Sequence, residues 1–260
     1  MAIKEKDLRI AIIAQCRALN SSGLNVGTAG NVSARLGDKM LITPSAVPYA
    51  TMRPEMIAAM PLAGEYGAWS GPMKPSTEWR FHLEIMRARP DIGAIVHYHP
   101  PYGCTLAMLH KPILAAHYMI ALFGSPIVKC VKYAPYGTQE LSDLVVEGLG
   151  DRFAVLLANH GAVVCGAHLD AAMNRAAELE NLARMYYLAI AAGRPAILSD
   201  EEVMRTVERF KAYGAGVDAP RLPPPRKKTA PKKSARSKAK ATTRKKAATR
   251  KKAGRATSTV

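Results

Sequence analysis

Two histidines one residue apart, His97 and His99, sit in the stretch Ala94-Ile95-Val96-His97-Tyr98-His99-Pro100. The apolar, β-branched run reads as a buried strand, which Pro100 and Pro101 terminate. Positions i and i+2 of a strand share a face, so both imidazoles are presented on one side. Two neutral imidazoles can grip a divalent cation, yet a zinc-type site needs at least one more protein ligand. His160 is the candidate for it, because it leaves the buried apolar strand Ala154–Ala158 just before Gly161. A lone histidine there is otherwise an ordinary core or surface residue. Three imidazoles with a fourth position open would make a Lewis-acid centre. Glu78 follows Ser76 and Thr77 at the start of a helix and could supply a carboxylate base or a fourth ligand; its plainer reading is a first-turn acid complementing the helix dipole. His82, one turn further on, is left outside the ligand set, as a surface residue or one standing behind the ligands.

Other H-x-H patterns fit less well. A metallo-β-lactamase-like chain would place Asp and His where Pro100 and Pro101 stand, and a cupin would be nearly all strand.

Three small-residue clusters offer hydroxyls and free backbone N–H groups: Gly27-Thr28-Ala29-Gly30-Asn31, Thr43-Pro44-Ser45-Ala46 and Ser76-Thr77. Such groups can cradle a phosphate without arginine, most readily at a helix start. Each alone is equally an ordinary turn.

The elements that must position these groups alternate in type. Leu8, Ile12, Cys16 and Leu19 recur at helical spacing over about 4–19. A hairpin is expected over 32–35 and 40–43, and a short helix from about Pro54. Helices are expected over 79–87, 102–109, 138–148 and 169–192, with strands at 127–131, 154–158 and 162–165. Ser199 to Glu202 reads as a capping box opening a last helix that reaches about Tyr213. In the first helix after the hydroxyl cluster, Ser76 or Thr77 is the expected N-cap. Alternating strands and helices imply a layered α/β domain.

At 260 residues and 48% hydrophobic composition, the chain can bury one sizeable core, or at most two small ones. The net charge of +17 is unevenly spread. Of the 37 basic residues, 16 lie from Arg221 onward and none of the 20 acidic residues does, so residues 1–220 carry a net charge of only +1. The expected division is a globular domain over 1–219 and a disordered Lys/Arg/Ala-rich tail over 220–260, which has nothing with which to build a core. The start has no signal-peptide pattern, no run reaches the ~18 apolar residues of a membrane span, and the cysteines (Cys16, Cys104, Cys130, Cys165) form no C-x-x-C pair. A cytoplasmic location is expected.

Gly-Leu-Asn-Val-Gly-Thr-Ala-Gly-Asn-Val-Ser (23–33), Met-Leu-Ile-Thr-Pro (40–44), Pro-Ser-Thr-Glu-Trp-Arg-Phe-His (75–82), Val-His-Tyr-His (96–99), His-Tyr-Met-Ile-Ala (117–121), Ala-Asn-His-Gly (158–161) and Leu-Ser-Asp-Glu-Glu (198–202) together resemble the class II aldolase/adducin family, most of all its members that cleave L-fuculose 1-phosphate. The resemblance runs in order over roughly 5–214.

It implies a three-layer α/β/α sandwich around a central mixed, largely antiparallel sheet, assembled as a cyclic homotetramer. It implies that His97, His99 and His160 bind Zn2+, or another divalent transition metal. Glu78 would be a ligand at rest that moves off to act as the base. Thr28, Asn31, Ser45, Ala46, Ser76 and Thr77 would hold the substrate phosphate, Tyr118 would reach the neighbouring subunit's site as the acid, and Tyr213 would close over the site. The implied reaction is reversible cleavage of a ketose 1-phosphate to dihydroxyacetone phosphate and an aldehyde.

The chain departs from the family pattern at Ser45-Ala46, where Thr-Gly is usual, at Ser76-Thr77, where two serines are usual, and at Tyr136, where the fuculose phosphate members carry phenylalanine. These departures leave the aldehyde open among fuculose, deoxypentulose, methylthioribulose and ribulose phosphates.

Epimerisation, dehydration or decarboxylation on the same scaffold are the rival reactions. An adducin-like structural role is disfavoured by the full histidine set. The tail adds a possible nonspecific affinity for nucleic acid or another polyanion through 221–260, by counterion release. No aromatic residue is interleaved there to stack on bases.

Overall fold

Side-chain alternation along the strands decides the architecture. A computed structural model of the chain describes residues 4–214, with side chains through residue 211. In order, its elements are α1 (Glu5–Ser21), β1 (Asn31–Leu36), β2 (Lys39–Ile42), β3 (Ala58–Pro61), α2 (Trp79–Ala88), β4 (Ala94–Tyr98), α3 (Pro101–Met108), β5 (Ile113–Leu114), β6 (Ile127–Val128), β7 (Cys130–Val131), α4 (Gln139–Leu149), β8 (Ala154–Leu157), β9 (Gly161–Gly166), α5 (Leu169–Ala192) and α6 (Asp200–Gly214). Short 3-10 turns cover Pro54–Met56 and Tyr118–Phe123.

Seven strands form one sheet in the order β3-β2-β1-β4-β9-β8-β7. Every pair is antiparallel except β7–β8. β4 is buried along its whole length because helices cover both faces of the sheet. Val96 and Tyr98 join a core built with Leu8, Ile12, Leu179 and Ala183 of α1 and α5. Ile95 joins a second core with Phe81, Leu83, Leu141 and Val145 of α2 and α4. The result is the expected three-layer sandwich. Each fully buried Val, Leu or Ile adds roughly 1.5–3 kcal/mol to these layers. His97 projects on the side of α2 and α4, into the second layer.

The expected strand over 127–131 is divided. Ile127–Val128 pairs with β5 in a separate two-stranded sheet, and Cys130–Val131 forms the far edge of the main one. The two halves differ in their pairing partners: Ile127–Val128 runs antiparallel to β5 and Cys130–Val131 parallel to β8. β3 and β5 lacked a sequence signal: β5 is too short for a period to show, and β3, Ala-Ala-Met-Pro, holds no β-branched or aromatic residue. The first residue of α2 is Trp79, which makes Glu78 itself the N-cap residue in place of Ser76 or Thr77. Ser76 still contributes, because its hydroxyl accepts the Glu78 backbone N–H at 3.3 Å. At α6, Ser199 Oγ accepts the Glu202 N–H at 3.2 Å, but the Glu202 carboxylate pairs with Arg205 instead of completing a capping box.

The chain divides into Met1–Asp218 and Ala219–Val260. The expected disordered tail lies outside the described residues. Among the described residues, no helix is long and apolar enough to cross a membrane.

Candidate metal centre

His97 is the last residue but one of β4, and the antiparallel register sets Asn31 of β1 opposite it on one side and Val163 of β9 on the other. His97 Nδ1 donates to the Ala162 carbonyl at 3.0 Å, which turns Nε2 inward. His99 follows the last strand residue and is held by its backbone N–H, which donates to Asn25 Oδ1 at 3.0 Å. Just beyond it, α3 starts on Pro100-Pro101 without a side-chain cap. The Glu180 carboxylate of α5 does that work, accepting the N–H groups of Tyr102 and Gly103 at 2.8 and 2.9 Å. His160 comes from the β8–β9 turn, where Asn159 adopts a left-handed backbone (φ 54°). Gly161 is required next, because a Cβ there would lie 2.7 Å from both His99 Cδ2 and the Tyr98 carbonyl.

The three rings meet edge to face with centroids 4.8–5.1 Å apart, and their ligand nitrogens lie within 4.8 Å of one another. The Nε2 atoms of His97 and His99 are 3.2 Å apart. Glu78 faces this group from the start of α2. Its Oε2 lies 3.1 Å from His97 Nε2 and its Oε1 3.3 Å from His160 Nε2. Oε1 is buried without a hydrogen-bond partner. A buried anionic oxygen left without a donor is costly, and inward-facing imidazole nitrogens are metal ligands in their neutral form. This donor set fits a divalent cation of the zinc type.

The electrostatics agree. Burial would raise the Glu78 carboxyl, but charge at His97 and His160 and the Asn31 amide outweigh it and hold the group well below the usual carboxylate range. Burial, then the charge at His97 and at the third ring, push His99 down to about 4. Burial and His97 bring His160 to about 4 as well. Both rings therefore keep their lone pairs for a metal at neutral pH.

A cleft of about 350 Å³ opens above the histidines, bringing together Glu78, His99 and His160 with Thr28, Asn31, Ser45, Ala46, Ser76 and Thr77. The three small-residue clusters thus converge. Gly30 (φ 79°) lets the first loop lie against β4, since a Cβ there would be 2.5 Å from the His97 carbonyl. The Tyr49 hydroxyl holds the same loop through the Ala29 and Gly30 carbonyls at 3.0 and 2.8 Å. Ser45 Oγ accepts the Thr77 N–H at 3.0 Å, tying the second cluster to the third. Ala46 is held in a left-handed conformation, φ 57°.

Tyr118 is half exposed on its 3-10 turn beside Phe210 and does not line this cleft in its own chain. The backbone of Tyr213 lies in the last turn of α6; its side chain is outside the described residues. Tyr136 does line the cleft, with Tyr133 and Asn159, two residues that sequence spacing did not single out. His82 is not at the surface: it is completely buried behind Asn31. Its place on the buried face of α2, with Phe81 and Leu83, was the available signal.

The sequence matches the family model described as "Class II Aldolase and Adducin N-terminal domain" over residues 10–187. It is 44% identical over 216 residues to the 5-methylthioribulose-1-phosphate/5-deoxyribulose-1-phosphate aldolase of Rhodospirillum rubrum, covering 83% of this chain and 96% of that protein. It is 42% identical over 208 residues to the L-fuculose phosphate aldolase of Escherichia coli O6:H1, covering 80% and 95%. Among solved structures, an L-fuculose 1-phosphate aldolase superposes with a TM-score of 0.76 at 37% identity, covering 79% of this chain and 96% of the other.

Proposed function

The chain belongs to the class II aldolase and adducin family, and we propose that within it the protein is a zinc-dependent aldolase acting on a ketose 1-phosphate. The substrates are 5-methylthioribulose, 5-deoxyribulose or L-fuculose 1-phosphate, and the products dihydroxyacetone phosphate and an aldehyde. One observation carries this reading: the Glu78 carboxylate, one of its buried oxygens unpartnered, faces the three-imidazole group at the floor of a cleft whose rim is made of phosphate-type loops.

His97, His99 and His160, with Glu78 at rest, would hold the metal. Bound there, it would supply a Lewis acid that polarises the substrate oxygens beside the reacting carbons. The chain's own groups do the rest. Thr28, Asn31, Ser45, Ser76, Thr77 and the backbone at Ala46 hold the phosphate, so that remote binding energy orients the bond to be broken. Cleavage breaks the carbon–carbon bond one position beyond the carbonyl. In the condensation direction the Glu78 carboxylate takes a proton from the reacting carbon and the Tyr118 phenol of a neighbouring subunit gives its proton to the aldehyde oxygen as the carbon–carbon bond forms; cleavage is the reverse, and exchange with solvent resets both groups between turnovers. Tyr213 enters the proposal only through the family resemblance, which implies that it would close over the site. Tyr118 works across an interface, so a homotetramer is part of the proposal, as is a cytoplasmic location.

The test is metal content together with dihydroxyacetone phosphate release from the three ketose 1-phosphates, for the native chain and Glu78→Gln. Bound zinc with cleavage that the substitution lowers at least ~100-fold supports the aldolase. Bound zinc without release from any of them points to epimerisation, dehydration or decarboxylation. The absence of metal overturns the mechanism.

A second property rests on the segregation of charge. The 16 cations beyond residue 220, unaccompanied by an acid, give 221–260 a nonspecific affinity for nucleic acid or another polyanion, beside the catalytic domain of 1–219.

A further inference from the structure

Behind Glu78, three buried polar side chains form a single file. Ser33 Oγ lies 2.7 Å from His82 Nδ1, His82 Nε2 lies 2.5 Å from Asn31 Oδ1, and Asn31 Nδ2 donates to Glu78 Oε2 at 2.9 Å. Ser33 and His82 are completely buried and Asn31 is 4% exposed. The spacing is built into β1. Asn31 and Ser33 are i and i+2, so both point to the α2 face, where one imidazole spans them. Val32, between them, points into the opposite core.

We propose that Ser33 and His82 are positioning residues for Glu78: they fix the Asn31 amide with its N–H toward Oε2, which also lies 3.1 Å from His97 Nε2, and so leave Oε1, 3.3 Å from His160 Nε2, as the carboxylate oxygen without a protein donor.

Two independent constraints set the direction of the file. At one end, the Ser33 hydroxyl has His82 as its side-chain partner, so it must donate to Nδ1; otherwise its proton stays buried and unpaired. His82 then carries its proton on Nε2 and donates to Asn31 Oδ1. At the other end, a reversed amide would set Oδ1 against the Glu78 carboxylate, two acceptors facing each other where water cannot intervene. Burial and the charge at His97 hold His82 down at about 3, so the ring stays neutral and keeps the acceptor nitrogen that the hydroxyl needs. An asparagine amide can otherwise flip at little cost; the neutral, singly protonated imidazole removes that choice.

The inference deepens the proposed function and rests on its reading of Glu78 as the base. The test is nitrogen-15 NMR of the zinc-loaded full chain, with His82 assigned by the signal missing in His82→Gln, alongside kcat and KM for Ser33→Ala and Ser33→Thr. The expected result is His82 as the Nε2–H tautomer from pH 5.5 to 8. In Ser33→Ala, kcat falls at least ~10-fold, with KM within about threefold and zinc content unchanged, and Ser33→Thr recovers most of the loss. An Nδ1–H tautomer in the native chain, or native kcat in Ser33→Ala, overturns the proposal. If no ketose phosphate is cleaved, the aldolase reading fails by itself, and the tautomer still decides whether the file holds Asn31 as described.

Discussion

Asn31 and His97 are direct cross-strand partners, so the residue that holds the Glu78 carboxylate and the residue that faces it share one register position. Glu78 Oε2 lies 2.9 Å from Asn31 Nδ2 and 3.1 Å from His97 Nε2. The pair comes from adjacent antiparallel strands within the seven-stranded sheet, while Glu78 stands at a helix end. The group proposed to approach and leave a metal is therefore tethered to the sheet.

The metal-free protein should lose stability on acidification below neutral. His99 and His160 titrate at about 4 in the fold, against ~6.5 when unfolded. Between those values the unfolded chain binds more protons, so stability rises with pH through the window and levels off above it. The low carboxyl of Glu78 adds a contribution of the same sign below its unfolded value. After chelation, the urea midpoint at pH 5 should lie below that at pH 7; equal midpoints would contradict the packed triad.

Gly161→Ala should dismantle the centre. The added carbon would sit 2.7 Å from His99 Cδ2 and from the Tyr98 carbonyl, and the latter is backbone that cannot turn aside. Overpacking of this kind costs about 1–3 kcal/mol and displaces the ring. Zinc stoichiometry should fall well below one per chain. Full occupancy in the variant would show that the turn has more slack than these distances allow.

Ala46→Gly should stabilise the chain. An L-residue in the left-handed region costs about 1–2 kcal/mol, of which the greater freedom of unfolded glycine takes back roughly half. A gain of about 0.5–1 kcal/mol is expected by urea denaturation, with an unchanged slope. Loss of stability would mean that the Ala46 methyl makes a compensating contact.

Deleting 221–260 should abolish retention on DNA–cellulose at 0.1 M salt while metal content and thermal midpoint stay as in the full chain. Retention of the full chain should fall steeply with salt, as counterion release requires. Equal retention of the truncated chain would place the affinity elsewhere.

The sequence alone carried the histidine pair, the third histidine at a strand end, Glu78 beside two hydroxyls, and the layered α/β class. Each depends on local periodicity: alternation puts His97 and His99 on one face, and apolar runs mark β4 and β8 as buried. It also carried the segregation of charge into the last forty residues.

What it could not carry is set by long-range register. Only the sheet order brings Asn31 opposite His97, and only the packing of α2 on β1 brings His82 between Asn31 and Ser33, a half-helix and two strands apart in the chain. His82 reads as a spare histidine in the sequence because its partners lie 49 and 51 residues away. The division of 127–131 between two sheets has the same origin: residues of one apparent strand pair with different strands, β5 and β8, that are distant from one another in the chain. Hydrophobic period names the buried face of each element, but which elements share a face is decided by how the layers close.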